Sequence, residues 1–193
     1  MLATLIELQR LKGLDRTGWP LRGLSSGTES VAAHSFGVSA AAMLLADKLV
    51  AQGVDLDMER VLRMAMIHDW AEARIGDIPR TATEYFGAEA RRQAELAAFT
   101  DIVQELGRPM YLDLFEDYEQ RRSLEARLVK AADVIDLLVQ VLVLEKAGYR
   151  GLNEFWEVAE NVDFRLEGTV KETVAEVLRT LVEARHDVRA ENK

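Results

Sequence analysis

Apolar residues recur at helical spacing along most of this chain. Leucine returns every third residue from Leu2 to Leu11, which predicts a short amphipathic helix over residues 2 to 12. The same periodicity predicts further helices over residues 29 to 52, 58 to 74, 88 to 106, 111 to 118, 122 to 147, 152 to 162 and 164 to 187. No stretch of useful length alternates between apolar and polar residues as a strand does. The pattern therefore predicts an all-α fold, a single-domain helical bundle over residues 1 to 193.

The longest predicted loop carries side chains that are unusual in a connection. Residues 13 to 30 are rich in glycine, serine and threonine, and they include Arg16, Trp19 and Arg22. An aromatic ring and two guanidinium groups in such a loop can line a pocket. The alternative is that Trp19 covers the core and both arginines face solvent.

Ionisable residues interrupt the apolar faces of three predicted helices. They are His34 in the second helix, His68 and Asp69 in the third, and Asp133 in the long sixth. Burying such groups costs several kcal/mol unless they are paired, hydrogen-bonded or bound to a metal. Taken singly, His34 can be a satisfied core histidine, and Asp133 can pair with Lys130. If the helices bring the four together, two imidazoles and two carboxylates suit a divalent cation and leave two octahedral positions for water and substrate.

Two acidic residues follow the His68-Asp69 pair. Glu72 comes four residues after His68, so the two are predicted on the same side of the third helix. Asp77 falls in a Gly- and Pro-containing turn, where an aspartate is usually a cap. Both carboxyl groups are of a type that can transfer protons beside a metal.

Composition narrows the classes of partner. A net charge of −9 argues against a broad surface for a nucleic acid polymer, but it allows a local basic pocket for a small phosphorylated ligand. The absence of cysteine excludes disulfides, thiolate zinc sites and cysteine nucleophiles. Neither a secretion signal nor an apolar run of membrane-spanning length is visible. These features predict a cytoplasmic protein that has no membrane partner.

The order of the motifs resembles a known family. The chain carries R-T-G-W-x-x-R-G from Arg16, E-S-V-A-x-H-S-F from Glu29, H-D-x-x-E-x-x-x-G-D-I-P from His68, and A-x-D ending at Asp133. Together they resemble the 5′-deoxynucleotidase branch of the HD-domain metal-dependent phosphohydrolases. The resemblance covers residues 9 to about 145, and helices over about 152 to 187 follow it. Asp136 matches none of these motifs.

The resemblance implies a bundle of six or more helices that forms a homodimer and holds one divalent metal ion. Co²⁺, Mn²⁺ or Mg²⁺ is the expected cation, with Zn²⁺, Fe²⁺ or Ni²⁺ as alternatives. The implied metal ligands are His34, His68, Asp69 and Asp133. Glu72 and Asp77 are the implied catalytic residues beside the metal-bound water, and Trp19 is the implied sugar contact. Part of the branch has an arginine where this chain has Gly18, so Arg16, Arg22 or Arg80 is expected to bind the phosphate.

The implied activity belongs to nucleotide metabolism. The chain is expected to remove the 5′-phosphate of deoxyribonucleoside monophosphates by attack of a metal-bound hydroxide. Trp19 against C2′ would leave no room for a ribose hydroxyl. One alternative is an HD-domain hydrolase of deoxynucleoside triphosphates or other nucleotides. The other is a non-catalytic helical protein that binds a nucleotide or a metal.

Overall fold

The computed structural model describes residues 1–191, except for the side chains of residues 158–160 and 191. The last two residues of the predicted domain, Asn192 and Lys193, lie outside the described residues. The α-helices are α1 (Leu2–Leu8), α2 (Val31–Ala51), α3 (Met58–Ile67), α4 (Glu72–Ile75), α5 (Arg80–Phe86), α6 (Ala88–Val103), α7 (Met110–Gln120), α8 (Leu124–Lys146), α9 (Asn153–Glu160) and α10 (Gly168–Glu191). Short 3₁₀ helices occur at Gln9–Lys12, Pro20–Arg22 and Gln104–Leu106. Between residues 1 and 191 the only extended pairing is an isolated bridge between Asp15 and Ser30, so the predicted all-α fold is confirmed.

Polar side chains cap the first turns of the three central helices. The Ala33 N–H donates to Ser30 Oγ at 3.1 Å at the start of α2, and the Ala126 N–H donates to Ser123 Oγ at 3.0 Å at the start of α8. Asp57 caps α3 in the same way. Each cap satisfies a backbone N–H that has no partner within its own helix. The caps therefore fix where the site-bearing helices begin.

Helices α2, α3 and α8 form the centre of the bundle. Helices α2 and α8 are antiparallel, because Gly37 near the start of α2 approaches Asp136, whereas Asp57 beyond its end bonds to Glu125 at the start of α8. Their buried apolar side chains include Val38, Leu45, Leu49, Met64, Leu128 and Ile135. Each such side chain contributes about 1.5–3 kcal/mol through removal from water. Among the described helices, none combines the length and the apolar composition that a bilayer-spanning segment requires.

The third helix is shorter than predicted. The expected helix over residues 58 to 74 ends at Ile67, residues 68–71 form a turn, and α4 follows. The imidazole of His68 donates a hydrogen bond to the Ala65 carbonyl at 2.8 Å, and this bond satisfies an acceptor at the end of α3. His68 and Asp69 therefore lie in the turn beyond α3 rather than on a continuous helix, and the prediction of one helical face was wrong.

A buried ion pair joins α8 to α10, and it predicts a stability effect. Arg185 donates to both oxygens of Glu145, with Nε···Oε2 at 3.0 Å and Nη2···Oε1 at 2.9 Å, and both side chains are largely buried. We expect Glu145→Gln to lower the free energy of unfolding by about 3 kcal/mol, because it leaves a buried guanidinium without its charge partner. Urea denaturation measures this difference.

The matched control is Glu176→Gln, which removes an exposed partner of Lys48. Its unfolding midpoint should stay at the wild-type value, because exposed ion pairs contribute little. Equal midpoints for the two variants would contradict the role assigned to Glu145.

Candidate active site

The four residues predicted as metal ligands lie together at the centre of the bundle. His34 comes from α2, His68 and Asp69 from the turn after α3, and Asp133 from α8. Nε2 of His34 lies 3.1 Å from Oδ1 of Asp133 and 3.8 Å from Oδ2 of Asp69. One donor atom each from His34, His68 and Asp133 lies within 4.8 Å of the others. Atoms bound to one cation at ~2.0–2.6 Å are at most about 5 Å apart, so this spacing fits a single ion.

His68 directs an unpartnered nitrogen into this group. Its Nδ1–H donates to the Ala65 carbonyl at 2.8 Å, because a carbonyl only accepts, and in the neutral ring Nε2 then has the lone pair. Nε2 is buried and has no hydrogen-bond partner among the described residues. It faces Oδ2 of Asp69 at 3.2 Å, and two lone pairs at that distance repel unless a proton or a metal cation lies between them. Imidazole and carboxylate donors arranged in this way fit a divalent cation.

Asp136, which the sequence motifs leave unassigned, fixes the ring of His34. Nδ1 of His34 lies 2.8 Å from Oδ2 of Asp136, so Nε2 is directed towards Asp133 and Asp69. Burial and Arg16 lower the pKa of His34, but Asp133 and Asp136 outweigh them and raise this pKa to about 9. The signal for Asp136 in the sequence is its position three residues after Asp133, which places both on one face of α8.

Gly37 provides the space that Asp136 occupies. A methyl group on Gly37 would lie 1.9 Å from Oδ1 and 2.6 Å from Cγ of Asp136, so Gly37→Ala must displace the carboxylate from His34. We expect affinity for a divalent cation to fall about 10–100-fold, as it does when a residue that orients a ligand is lost. Metal titration of the purified protein measures this change. Ser39→Ala on the same helix is the control, and unchanged affinity in a folded Gly37→Ala protein would contradict the role of Asp136.

Glu72 and Asp77 lie beside the four converging residues in different environments. Glu72 at the start of α4 is buried, and its Oε2 has no partner among the described residues. Burial raises the pKa of Glu72 well above its ordinary value, and the carboxylates of Asp69 and Asp77 raise it further. The Asp77 carboxylate instead accepts a hydrogen bond from the Thr17 N–H at 2.6 Å. Glu72 is therefore the less constrained of the two carboxyl groups.

The three candidate phosphate-binding arginines differ in position. Arg16 lies nearest the four converging residues, with Nη1 3.3 Å from Oδ2 of Asp69 and 3.8 Å from Oδ1 of Asp77. Although burial opposes it, these carboxylates hold the pKa of Arg16 above its ordinary value. Arg22 donates through Nε to Glu154, and Arg80 is exposed at the edge of the adjoining cavity.

Trp19 lines the cavity but is almost entirely buried. Its side chain is 1% exposed, and its indole N–H donates to Oε2 of Glu29 at 2.7 Å. Its ring packs on Phe155 with 4.9 Å between the centroids. The packing therefore matches the expectation that Trp19 covers the core, and only the part of the ring that lines the cavity is available to a ligand.

A cavity of about 810 Å³ opens from these residues to the surface. Two lining residues that the motifs do not include contact Asp133: Lys130 Nζ lies 2.6 Å and the Tyr118 hydroxyl 3.0 Å from its Oδ2. Although burial opposes them, Lys130 and His34 hold the pKa of the Asp133 carboxyl well below its usual range. Lys130 is the partner expected from its spacing, whereas Tyr118 on α7 carries no sequence signal.

Comparison with known proteins connects this geometry with one family. A family model described as HD domain matches residues 8–175. A Xenopus laevis protein named 5′-deoxynucleotidase HDDC2 is 32% identical over 71% of this chain and 65% of its own length. A Schizosaccharomyces pombe protein named 5′-deoxynucleotidase hdd1 is 32% identical over 77% of this chain and 75% of its own length. The chain thus spans about two thirds to three quarters of these relatives.

The similarity extends to solved structures. The crystal structure of the PH0347 protein from Pyrococcus horikoshii OT3 is 33% identical to this chain, with a TM-score of 0.81. The alignment covers 95% of this chain and 99% of that protein. A predicted metal-dependent phosphohydrolase from Magnetospirillum magnetotacticum, at 22% identity and a TM-score of 0.63, shares the fold.

Proposed function

The chain belongs to the HD-domain family, and from that premise we propose that it is a metal-dependent 5′-deoxynucleotidase. Its proposed reaction is hydrolysis of deoxyribonucleoside 5′-monophosphates to a deoxynucleoside and inorganic phosphate. The observation that carries the proposal is that donor atoms of His34, His68 and Asp133 lie within 4.8 Å of one another, while Oδ2 of Asp69 lies 3.2 Å from the unpartnered Nε2 of His68. Relatives named 5′-deoxynucleotidases support the substrate class.

The proposed metal ligands are His34, His68, Asp69 and Asp133. The observed donor set of two imidazoles and two carboxylates suits Co²⁺, Mn²⁺ or Mg²⁺, with Zn²⁺, Fe²⁺ or Ni²⁺ as alternatives. A divalent cation bound there lowers the pKa of a coordinated water and offsets the negative charge of the phosphate. The protein's own contribution is to orient the ligands, as Asp136 does for His34.

We propose that Glu72 moves the proton in the reaction. Its raised pKa favours the protonated carboxyl group, which can deliver a proton to the departing 5′ oxygen. Asp77 is proposed to assist by holding the loop over residues 13 to 30, which carries Arg16 and Trp19. Its carboxylate accepts a hydrogen bond from the Thr17 N–H and its carbonyl accepts one from the Thr17 hydroxyl, each at 2.6 Å. In this assignment Glu72 transfers the proton and Asp77 positions the loop beside the substrate.

Arg16 is the proposed phosphate contact among the three candidate arginines. Its guanidinium group lies beside Asp69 and Asp77, so its remaining N–H groups can donate hydrogen bonds to a phosphate bound next to them. Trp19 is proposed to lie beside C2′ of the sugar through the part of its ring that lines the cavity. A ribose hydroxyl would then lack room, which favours deoxynucleotides. Arg22 and Arg80 are proposed to contact the substrate at a greater distance from the metal site than Arg16.

The test of this function is release of inorganic phosphate from dAMP, AMP and dATP. The protein is stripped with a chelator, and Co²⁺, Mn²⁺ or Mg²⁺ is then restored. We expect activity only with a restored cation, and dAMP to be preferred over AMP by about tenfold or more, as a steric clash with one group gives. A preference for dATP would instead favour a triphosphate hydrolase. Nucleotide binding without turnover in any metal would favour a non-catalytic protein.

We also propose a homodimer and a cytoplasmic location. Exposed apolar residues on α2 and α8 support the dimer, with Phe36 75%, Leu44 65% and Val143 53% exposed. A chain without cysteine that acts on free deoxynucleotides suits the reducing cytoplasm. Light scattering after size-exclusion chromatography tests the dimer, and a monomeric Phe36→Glu variant would identify the surface involved.

A further inference from the structure

The outer wall of the cavity contains two arginines in an unusual backbone conformation. Arg121, which follows α7, has φ +53°, and Arg165, between α9 and α10, has φ +55°. They are the only non-glycine residues with positive φ in the described part of the chain, and both line the cavity. Such conformations are sparsely populated and tend to persist at functional sites.

Hydrogen bonds to carbonyl oxygens hold this pair in place. Nη1 of Arg121 donates to the carbonyl of Asp163 at 2.8 Å, and Nη1 of Arg165 donates to the carbonyl of Gln120 at 3.4 Å. Arg127 on α8 donates to the carbonyl of Arg165 at 3.0 Å. The segments before α8 and before α10 are thereby tied together, and the guanidinium groups are positioned before any ligand arrives.

The charges of these arginines are not neutralised. Neither Arg121 nor Arg165 forms an ion pair with a carboxylate of the described side chains, and their guanidinium groups donate to backbone carbonyls instead. Arg80 at the edge of the cavity likewise has no ion pair with the described side chains. The other arginines and the lysine of the cavity are paired, namely Arg16 with Asp69, Arg22 with Glu154, Arg91 with Glu95, Arg92 with Glu89 and Lys130 with Asp133. Unpaired guanidinium groups in a chain of net charge −9 leave a local positive potential that selects an anion.

The position of this pair identifies the part of a substrate that it can reach. The pair is joined to α8 at Arg127, whose Nη1 donates to the carbonyl of Arg165. Arg127 precedes Asp133 by six residues, a rise of about 9 Å along the helix between these two residues. With the scissile 5′-phosphate at the metal, the outer wall faces the other end of the nucleoside. The cavity volume of about 810 Å³ is near the upper end of the ~300–1,000 Å³ typical of small-molecule sites.

We infer that Arg121 and Arg165 bind a second phosphate, attached to the 3′ oxygen of the deoxynucleotide substrate. This inference rests on the proposed 5′-deoxynucleotidase function and names its substrate class more closely. Hydrolysis breaks the bond between phosphorus and the 5′ oxygen, water supplies the new oxygen on phosphorus, and its proton goes to the departing 5′ oxygen. The products of a 3′,5′-bisphosphate are a deoxynucleoside 3′-phosphate and inorganic phosphate.

The experiment compares deoxyadenosine 3′,5′-bisphosphate with dAMP in the metal-loaded full chain. We expect kcat/KM and equilibrium affinity to favour the bisphosphate about tenfold, as one additional charge-assisted contact gives. Arg165→Gln and Arg121→Gln should each reduce that ratio to near one. Arg179→Gln, an exposed arginine of α10 outside the cavity, is the matched control and should keep the wild-type ratio.

The outcomes separate this inference from the proposed function. Hydrolysis of dAMP without a preference for the bisphosphate would overturn the inference alone. Equal weakening of both ligands by Arg165→Gln would show that the arginines contact a group that both ligands share, and would also overturn the inference. If no cation gives turnover of either compound, the proposed function fails, and the binding ratio still decides whether the second phosphate is recognised. Because Arg121 and Arg165 both have positive φ, Arg121→Asn and Arg165→Asn decide if the glutamine variants do not fold, since asparagine adopts this conformation more readily.

Discussion

Asp69→Asn is expected to reduce kcat/KM for deoxynucleoside monophosphates by about a thousandfold or more, since a catalytic cation supplies several kcal/mol of transition-state stabilisation. The carboxylate of Asp69 lies beside both imidazoles of the site. Its Oδ2 lies 3.2 Å from Nε2 of His68 and 3.8 Å from Nε2 of His34. The amide replaces an anionic oxygen with a neutral group, so the site loses charge that the cation requires while the side chain keeps its size.

Metal content of the purified variant, measured by mass spectrometry, should fall together with the rate. The control is Asp47→Asn, which makes the same change at an exposed position of α2. It should keep wild-type metal content and activity. An Asp69→Asn protein with full metal content and normal turnover would remove Asp69 from the proposed ligand set.

Two members of the central group, His34 and Asp133, were predictable because the local sequence determines which way each one points. His34 lies between residues that are buried in the core, Val31 and Val38, so helical periodicity alone directs it inward. Asp133 is similarly placed among the buried residues of α8. Residue type then limits the chemistry, because imidazole and carboxylate groups in apolar surroundings require a partner. The motif order supplied what periodicity could not, namely that these distant positions meet.

The support for this group was not predictable from sequence. The contact between Asp136 and His34 joins residues 102 positions apart, and it depends on Gly37 allowing a close approach of α2 and α8. Neither property is visible in a local pattern. The end of α3 was also not predictable from a local pattern. The apolar periodicity continues past Ile67, whereas the helix ends there with a hydrogen bond from the His68 side chain to the Ala65 carbonyl.

The residues of the cavity wall were also only partly predictable from the sequence. The predicted loop that carries Arg16, Trp19 and Arg22 indicates a pocket. Lys130 and Arg121, which lie far from this loop in the chain, also line that cavity. Long-range packing, which brings those elements together, determines the charge that a ligand meets.

Glu72→Gln is expected to lower kcat by about 10²–10⁴-fold, the contribution typical of a positioned acid or base. Glutamine has nearly the same shape but cannot exchange a proton at the Oε2 position, which is buried and unpartnered in the described structure. Metal content and KM should change little, because Glu72 is not among the four proposed ligands. Steady-state kinetics on dAMP, together with metal analysis, measures both parts of this expectation.

Glu84→Gln, at an exposed position of α5, is the matched control for the loss of one carboxyl group near the site. It should retain the wild-type kcat. Comparing the loss of rate with the loss of bound metal distinguishes two roles for Glu72, namely proton transfer and binding of the cation. A loss of bound metal equal to the loss of rate would assign it to holding the cation. A loss of rate at full metal occupancy requires that its carboxyl group takes part in the proton transfer, because the remaining site is then intact.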